Sequence, residues 1–139
     1  INRLHELRLR QGGGKRPQEV TRMIQKAAYQ ACQPTRENEA MQQAVDELAR
    51  IRSEELPNMT LGDATLTYNT DWKAAIEACN LLDIAEASSR AALMREESRG
   101  HSYRPEYPEE NPGAWTCNIV ARNVDGAMQL ETVPVVELD

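Results

Sequence analysis

The sequence contains no phenylalanine, and only two tryptophans and four tyrosines among 139 residues. Aromatic rings usually carry much of a core's buried area, so this interior must be built from Leu, Ile, Val, Met and Ala. That suits a small helical bundle, or a piece that buries one face against a larger partner. A basic surplus is also lacking: 16 Lys and Arg stand against 22 Asp and Glu, a formal net charge of −6. This argues against nucleic acid, whose binding surfaces are basic stripes, and against an anionic membrane surface. No apolar run reaches the roughly 18 residues of a bilayer span, so no direct membrane insertion is expected. Cysteine is sparse. Cys32, Cys79 and Cys117 form no C-x-x-C pair, which disfavours zinc and dithiol redox chemistry and fits reduced thiols in a cytosolic setting. No signal or transit-peptide pattern opens the chain. The first residue is Ile1, not Met, which leads us to expect a fragment or a processed chain.

What is present is helical periodicity. Residues 1–10 read as the tail of a helix, with Ile1, Leu4 and Leu7 on one stripe, and Gly12-Gly13-Gly14 breaks it. Lys15 follows these glycines without the G-x-x-x-x-G-K-[ST] spacing of a phosphate loop. Pro17 suits a first helical position, and Val20, Met23, Ile24, Ala27 and Ala31 follow at helical spacing. This helix should end near Cys32, before Pro34. Thr35 is placed to cap the next helix, whose seam is Met41, Val45, Leu48 and Ile51. Asn69 or Thr70 should cap a third, long helix. Its expected inward stripe is Trp72, Ile76, Cys79, Leu82, Ala85, Ser89 and Leu93, with Gly100 as its terminator after Arg99.

From His101 to Gly113 the chain is polar and holds Pro105, Pro108 and Pro112. That composition predicts an ordered loop with no helix. The period then changes to two from Trp115 to Val124 and again from Ala127 to Val133, around an Asp125-Gly126 turn. In that register Ala121 faces Leu130 and Ile119 faces Thr132. The expectation is three main helices, a proline-rich loop and one β-hairpin.

The most informative stretch is residues 80–108, NLLDIAEASSRAALMREESRGHSYRPEYP. It strongly resembles the end of the long helix and the following loop in flavoprotein subunits of the succinate dehydrogenase/fumarate reductase family. L-aspartate oxidase and adenylylsulfate reductase are more distant relatives of that group. Asn80, Leu81, Leu82, Ala85 and Glu86 match the family's opening residues. Arg95, Glu97, Ser98, Arg99 and Gly100 match the centre, and Arg104, Tyr107 and Pro108 the end. Glu106 stands where the family has Asp. The family's histidine two places after the glycine is Ser102 here, and His101 comes one place early. Arg36 and Trp115 also fit the pattern, so the resemblance covers most of the chain.

The resemblance implies an all-α fold class: a three-helix, spectrin-repeat-like bundle with a proline-rich loop and a C-terminal β-hairpin. Residues 1–113 would hold the bundle and loop, and residues 114–139 the hairpin extension of the same domain. It further implies a non-catalytic domain packed against the FAD-binding domain of the same longer chain, with an iron–sulfur subunit as a further partner. FAD would belong to that other domain, and no catalytic, cofactor-binding or metal residue is carried onto this sequence. The implied location is cytoplasmic, at the inner face of the membrane through partner subunits.

The candidate docking residues are Glu97, Arg99, Arg104 and Tyr107. A Glu97–Arg104 or Glu97–Arg99 pair could hold the loop, since arginine offers several donors at once. An Arg/Glu cluster at a helix end is more often a local cap than a catalytic device. His5 is expected to be exposed on its helix, and His101, after a helix C-terminus, has no evident acid–base partner. Two other readings compete: a free-standing helical protein-interaction module, and the same domain from an L-aspartate oxidase-like enzyme. The hairpin tail after Trp115 leans towards a fumarate-reductase-like or other anaerobic relative.

Overall fold

Proline at position 17 forgoes an amide that a first helical turn leaves unbonded anyway, and helix α2 (Pro17–Ala31) begins there. The Glu19 carboxylate accepts the Arg16 N–H at 2.8 Å, closing the helix start. The computed structural model describes the backbone of residues 2–136 and the side chains of residues 5–136. Before α2 lies α1 (Asn2–Leu9). Leu7 on it is buried, whereas the Ile1 and Leu4 side chains of the expected stripe lie outside the described residues.

The glycine run Gly12-Gly13-Gly14 turns the chain beneath the 58–61 connector. Thr60 N–H donates to the Lys15 carbonyl at 3.0 Å and Leu61 N–H to the Arg10 carbonyl at 2.7 Å. A side chain at Gly14 would place its Cβ 1.8 Å from the Asn58 carbonyl oxygen, so the close approach explains that glycine.

Helix α3 (Asn38–Arg50) runs into a π-helical turn, Ile51–Glu55. The wide turn closes with Leu56 N–H donating to the Ile51 carbonyl at 2.9 Å. It keeps Ile51 in the core while Arg52 reaches the Asp83 and Glu86 carboxylates, both at 2.7 Å. The long helix α4 (Thr70–Met94) starts at Asn69, whose side-chain oxygen accepts the Trp72 N–H at 2.8 Å.

Three helices build the interior. Val20, Ile24 and Ala27 of α2 meet Leu48 of α3 and Ala75, Ala78, Leu82 and Ala85 of α4, all buried. The buried line of α4 differs from the expected one. Trp72, Ile76 and Cys79 are half-buried, and Ala75 and Ala78 take the fully buried places. Helix α4 packs against both α2 and α3, and alanines let two neighbouring backbones come close where larger residues would hold them apart. Trp72 instead borders α1, its ring centroid 5.9 Å from that of His5.

Two boundaries also move. Thr35 does not cap α3: the preceding residue is Glu37, and Thr35 forms a parallel bridge with Tyr103. Gly100 does not end α4, which stops at Met94 with Arg95 extended. Gly100 instead takes φ +59° in a tight turn where Arg99 and Ser102 exchange backbone hydrogen bonds at 3.0 Å. At the end of the proline-rich loop a one-turn helix, α5 (Pro112–Trp115), forms where no helix is expected. Asn111 accepts its Ala114 N–H, and Pro112 occupies a position that needs no amide.

Strands β1 (Cys117–Val124) and β2 (Ala127–Pro134) pair antiparallel with Ala121 opposite Leu130 and Ile119 opposite Thr132. Asp125 and Gly126, at φ 52° and 86°, supply the two left-handed residues that a tight right-twisted hairpin needs. The strand β2 lies against α4. The expected all-α class does not hold. Among the described residues, five α-helices and a two-stranded antiparallel sheet make the fold mixed, because the period-two tail closes its own backbone ladder. A helical bundle with a C-terminal hairpin describes the arrangement in part. No helix among the described residues is long and apolar enough to cross a membrane.

Candidate functional site

An α-helix leaves its last four carbonyls without partners. In α4 one arginine from the next loop supplies several of the missing donors. The Arg104 guanidinium, 2% exposed, donates through Nη1 to the carbonyls of Ala92 at 3.0 Å and Arg95 at 2.5 Å, with Leu93 at 3.4 Å. Its Nη2 donates to Asn38 Oδ1 at the start of α3. The Tyr107 ring lies below the same guanidinium at 5.2 Å, a cation–π arrangement.

The loop is bound a second time to α3. Glu106 accepts the Asn38 N–H through Oε1 at 2.7 Å, so the carboxylate caps the helix start from a distant part of the chain. That bond, against the cost of desolvation and with Arg104 nearby, holds the Glu106 carboxyl below its ordinary value. Backbone bonds extend the seam: Tyr103 N–H donates to the Pro34 carbonyl and Arg36 N–H to the Tyr103 carbonyl, each at 2.8 Å. Ser98 works inside the loop. Its hydroxyl accepts the Arg104 N–H and donates to the Tyr107 carbonyl, both at 2.8 Å.

Glu97 is the buried anion of this cluster, its side chain fully covered. Oε1 accepts from Arg95 Nη1 at 2.7 Å, and Oε2 accepts from Arg99 Nη2 at 3.1 Å and from the Asn111 N–H at 2.9 Å. Burial works against its ionisation, but the Asn111 N–H, Arg95 and Arg99 outweigh it and hold the carboxyl below its ordinary value. Arg95 continues outward to the carbonyls of Trp115 at 3.2 Å and Cys117 at 3.4 Å, and stacks on the Trp115 ring at 5.4 Å. The loop is thereby tied to the hairpin as well as to α3 and α4.

The four candidates are therefore neighbours in space: Glu97 and Arg104 are buried, Tyr107 is half-buried, and Arg99 leaves 39% of its side chain exposed. Glu97 pairs with Arg99 and with Arg95. Arg104 pairs with Glu106, at 3.7 Å, in place of Glu97. Arg95, Ser98, Glu106 and Asn38 belong to the same network and were not among the candidates. The first three stand in the motif itself. Asn38 lies in a helix seam remote in sequence, and no local signal marks it.

Arg36, Arg95, Arg99 and Arg104, with Glu97 and Ile119, surround a cleft of ≈ 450 Å³ beside this network. Both histidines are exposed. Among the described residues no three His, Cys, Asp or Glu side chains gather as metal ligands.

Residues 21–138 match the family model of the fumarate reductase flavoprotein C-terminal region. The chain is 29% identical over 124 residues to the fumarate reductase flavoprotein subunit of Mycobacterium tuberculosis, covering 88% of this chain and 21% of that protein. It is 31% identical over 107 residues to the corresponding subunit of Haemophilus influenzae, covering 76% of this chain and 18% of that protein. The solved structure of E. coli quinol fumarate reductase superposes with a TM-score of 0.87 at 27% identity, over 99% of this chain and 24% of the other. The chain thus spans about a fifth of the length of the relatives it matches. The residue-level motif, the helix and loop that carry it, and a family match running through both place the chain in the C-terminal domain family of succinate dehydrogenase/fumarate reductase flavoprotein subunits.

Proposed function

We propose that this chain is the non-catalytic C-terminal helical domain of an FAD-dependent oxidoreductase, packed against the FAD-binding domain of the same longer protein. One observation carries the reading: 99% of the chain superposes on 24% of a quinol fumarate reductase chain, so its fold corresponds to a part of a larger flavoprotein. Dinucleotide sites use a strand, a glycine-rich turn and a helix in succession, and the strands described form one hairpin, which supports placing the flavin in the rest of the protein. That protein would transfer electrons and protons between FAD and a dicarboxylate such as succinate or fumarate, with an iron–sulfur subunit as electron partner, at the inner face of the membrane.

Within this role the 95–107 loop is the docking element. Glu97, Arg104 and Tyr107 fix its shape from inside, and Arg99 presents a partly exposed guanidinium on its outer side. The test is to purify three proteins: the product of the complete reading frame, that product lacking the present residues, and the chain alone. The complete protein should retain flavin and reduce fumarate with a dye donor, and the chain alone should do neither. Fumarate reduction or stoichiometric FAD binding by the chain alone overturns the proposal. Arg99→Ala in the complete protein should loosen flavin retention; unchanged retention and unchanged stability would remove the docking role.

A further inference from the structure

We propose that the cleft between the second half of α4, the 95–104 loop and β1 is a recognition site for an acidic peptide segment. The first support is charge. The chain as a whole carries −6, yet Arg36, Arg95, Arg99 and Arg104 line this cleft with Glu97 as its lining carboxylate, and among the described residues Glu106 is the one further carboxylate paired with these arginines. Glu97 is already engaged by two of those arginines and by the Asn111 N–H, so it leaves a local positive excess.

The second support is unused donor capacity. A guanidinium has five N–H donors in a planar fork that matches a carboxylate. Arg36 makes one side-chain bond among the described residues, from Nε to the Gln33 carbonyl at 2.9 Å. Arg99 makes one, from Nη2 to Glu97. Arg104 adds charge but no spare donor: Nη1 and Nη2 are taken by backbone carbonyls and Asn38, and its buried Nε faces Glu106 at 3.7 Å.

The third support is shape. At ≈ 450 Å³ the cleft is far larger than one small anion requires, and Ala91, Ala92 and Ile119 give it an apolar wall beside the arginines. A carboxylate side chain followed by an apolar one would satisfy both surfaces. Recognition of an acidic peptide stands on these features alone; that the segment comes from the flavin-binding part of the longer protein rests on the function proposed above.

The probe is a fluorescent acetyl-Glu-Leu-Glu-Leu-Glu amide, with the Gln-for-Glu peptide as control, followed by anisotropy on the chain at low salt. Helix content and melting temperature are recorded on the same samples. The acidic peptide should bind, weaken with added salt, and bind about tenfold more weakly to Arg36→Gln, the effect of one charge-assisted hydrogen bond. Arg22→Gln, outside the cleft, should bind as the parent does. Ala91→Met, which fills the apolar wall without changing charge, should also weaken binding, so a folding defect in one variant leaves the other to decide. Equal binding of the two peptides, or full affinity in both cleft variants, overturns the proposal. So does displacement by inorganic phosphate or succinate at the peptide's own concentration, which would mark a small-oxyanion site. If the complete protein holds FAD as proposed and the peptide does not bind, the cleft inference falls alone. If the peptide binds and no flavin is held, the cleft survives the loss of the flavoprotein reading.

Discussion

Arg104 donates from its guanidinium to the side chain of Asn38, across 66 positions of sequence. The contact joins the start of α3 to the end of α4. Asn38 meets the same loop again through its N–H, which Glu106 accepts at 2.7 Å. One loop thus terminates one helix and starts another.

Arg104→Ala would strand the Ala92 and Arg95 carbonyls and the Asn38 side chain in a place with little water. Losing charge-assisted hydrogen bonds and leaving acceptors unpaired should cost about 3 kcal/mol. Arg104→Lys keeps a charge but not the planar fork, and should recover a minor part. Urea unfolding of the two variants checks this. Loss of less than about 1 kcal/mol in Arg104→Ala, within the range of an ordinary surface change, would show that the cap is not what holds the loop.

Glu97 makes stability depend on pH in a definite direction. Its carboxyl is held below the ordinary 4.5 in the folded chain, so the unfolded chain binds the proton more readily. The contribution is fully present above the ordinary value and is lost as pH falls through the lowered one. Glu97→Gln removes the charge that Arg95 and Arg99 share. Its stability deficit against the parent should be large near neutral pH and shrink in acid. Melting temperatures across that range decide the matter, and a deficit independent of pH would assign the loss to packing alone.

Helix α4 offers a comparison on two faces. Leu82 is fully buried between α2 and α3, whereas Ile84, two positions on, is 64% exposed. Leu82→Ala should cost about 2–5 kcal/mol through lost transfer and an unfilled cavity, and Ile84→Ala less than about 0.5 kcal/mol. Chemical denaturation of both tests the helix's orientation. A large loss at Ile84 would mean that this face is covered in solution.

How much could be seen in the sequence follows from the range of each interaction. The hairpin register is local: alternation and one Asp-Gly turn determine which residues face each other, and Ile119 opposite Thr132 is found as expected. The start of α4 is equally local, since Asn69 caps three residues away. The end of α4 is not. Gly100 carries the signature of a terminator, but the Arg104 cap stops the helix at Met94, and no propensity encodes a donor arriving from a later loop. The fold class failed for a related reason, since helical periodicity dominates most of the chain while the hairpin adds a sheet of its own. In the candidate site the motif marked Glu97, Arg99, Arg104 and Tyr107. Arg36 also fitted the pattern, and its N–H meets the loop at the Tyr103 carbonyl; Asn38 joined them only through its bonds to Glu106 and Arg104.

The glycine run separates steric need from conformational freedom. At Gly14 an added Cβ would lie 1.8 Å from the Asn58 carbonyl oxygen, and that oxygen is backbone. Gly14→Ala must therefore shift the 58–61 connector, a strain of about 1–3 kcal/mol. At Gly13 nothing lies within 4 Å of such a Cβ, and no left-handed φ is needed there. Gly13→Ala should then be neutral or stabilising by about 0.4–1 kcal/mol, because it narrows the unfolded ensemble. Urea midpoints of the two variants should move in opposite directions or differ by more than 1 kcal/mol in unfolding free energy. Equal midpoints would mean that Gly14 does not pass so close to Asn58, and that the glycines serve only to break α1 from α2.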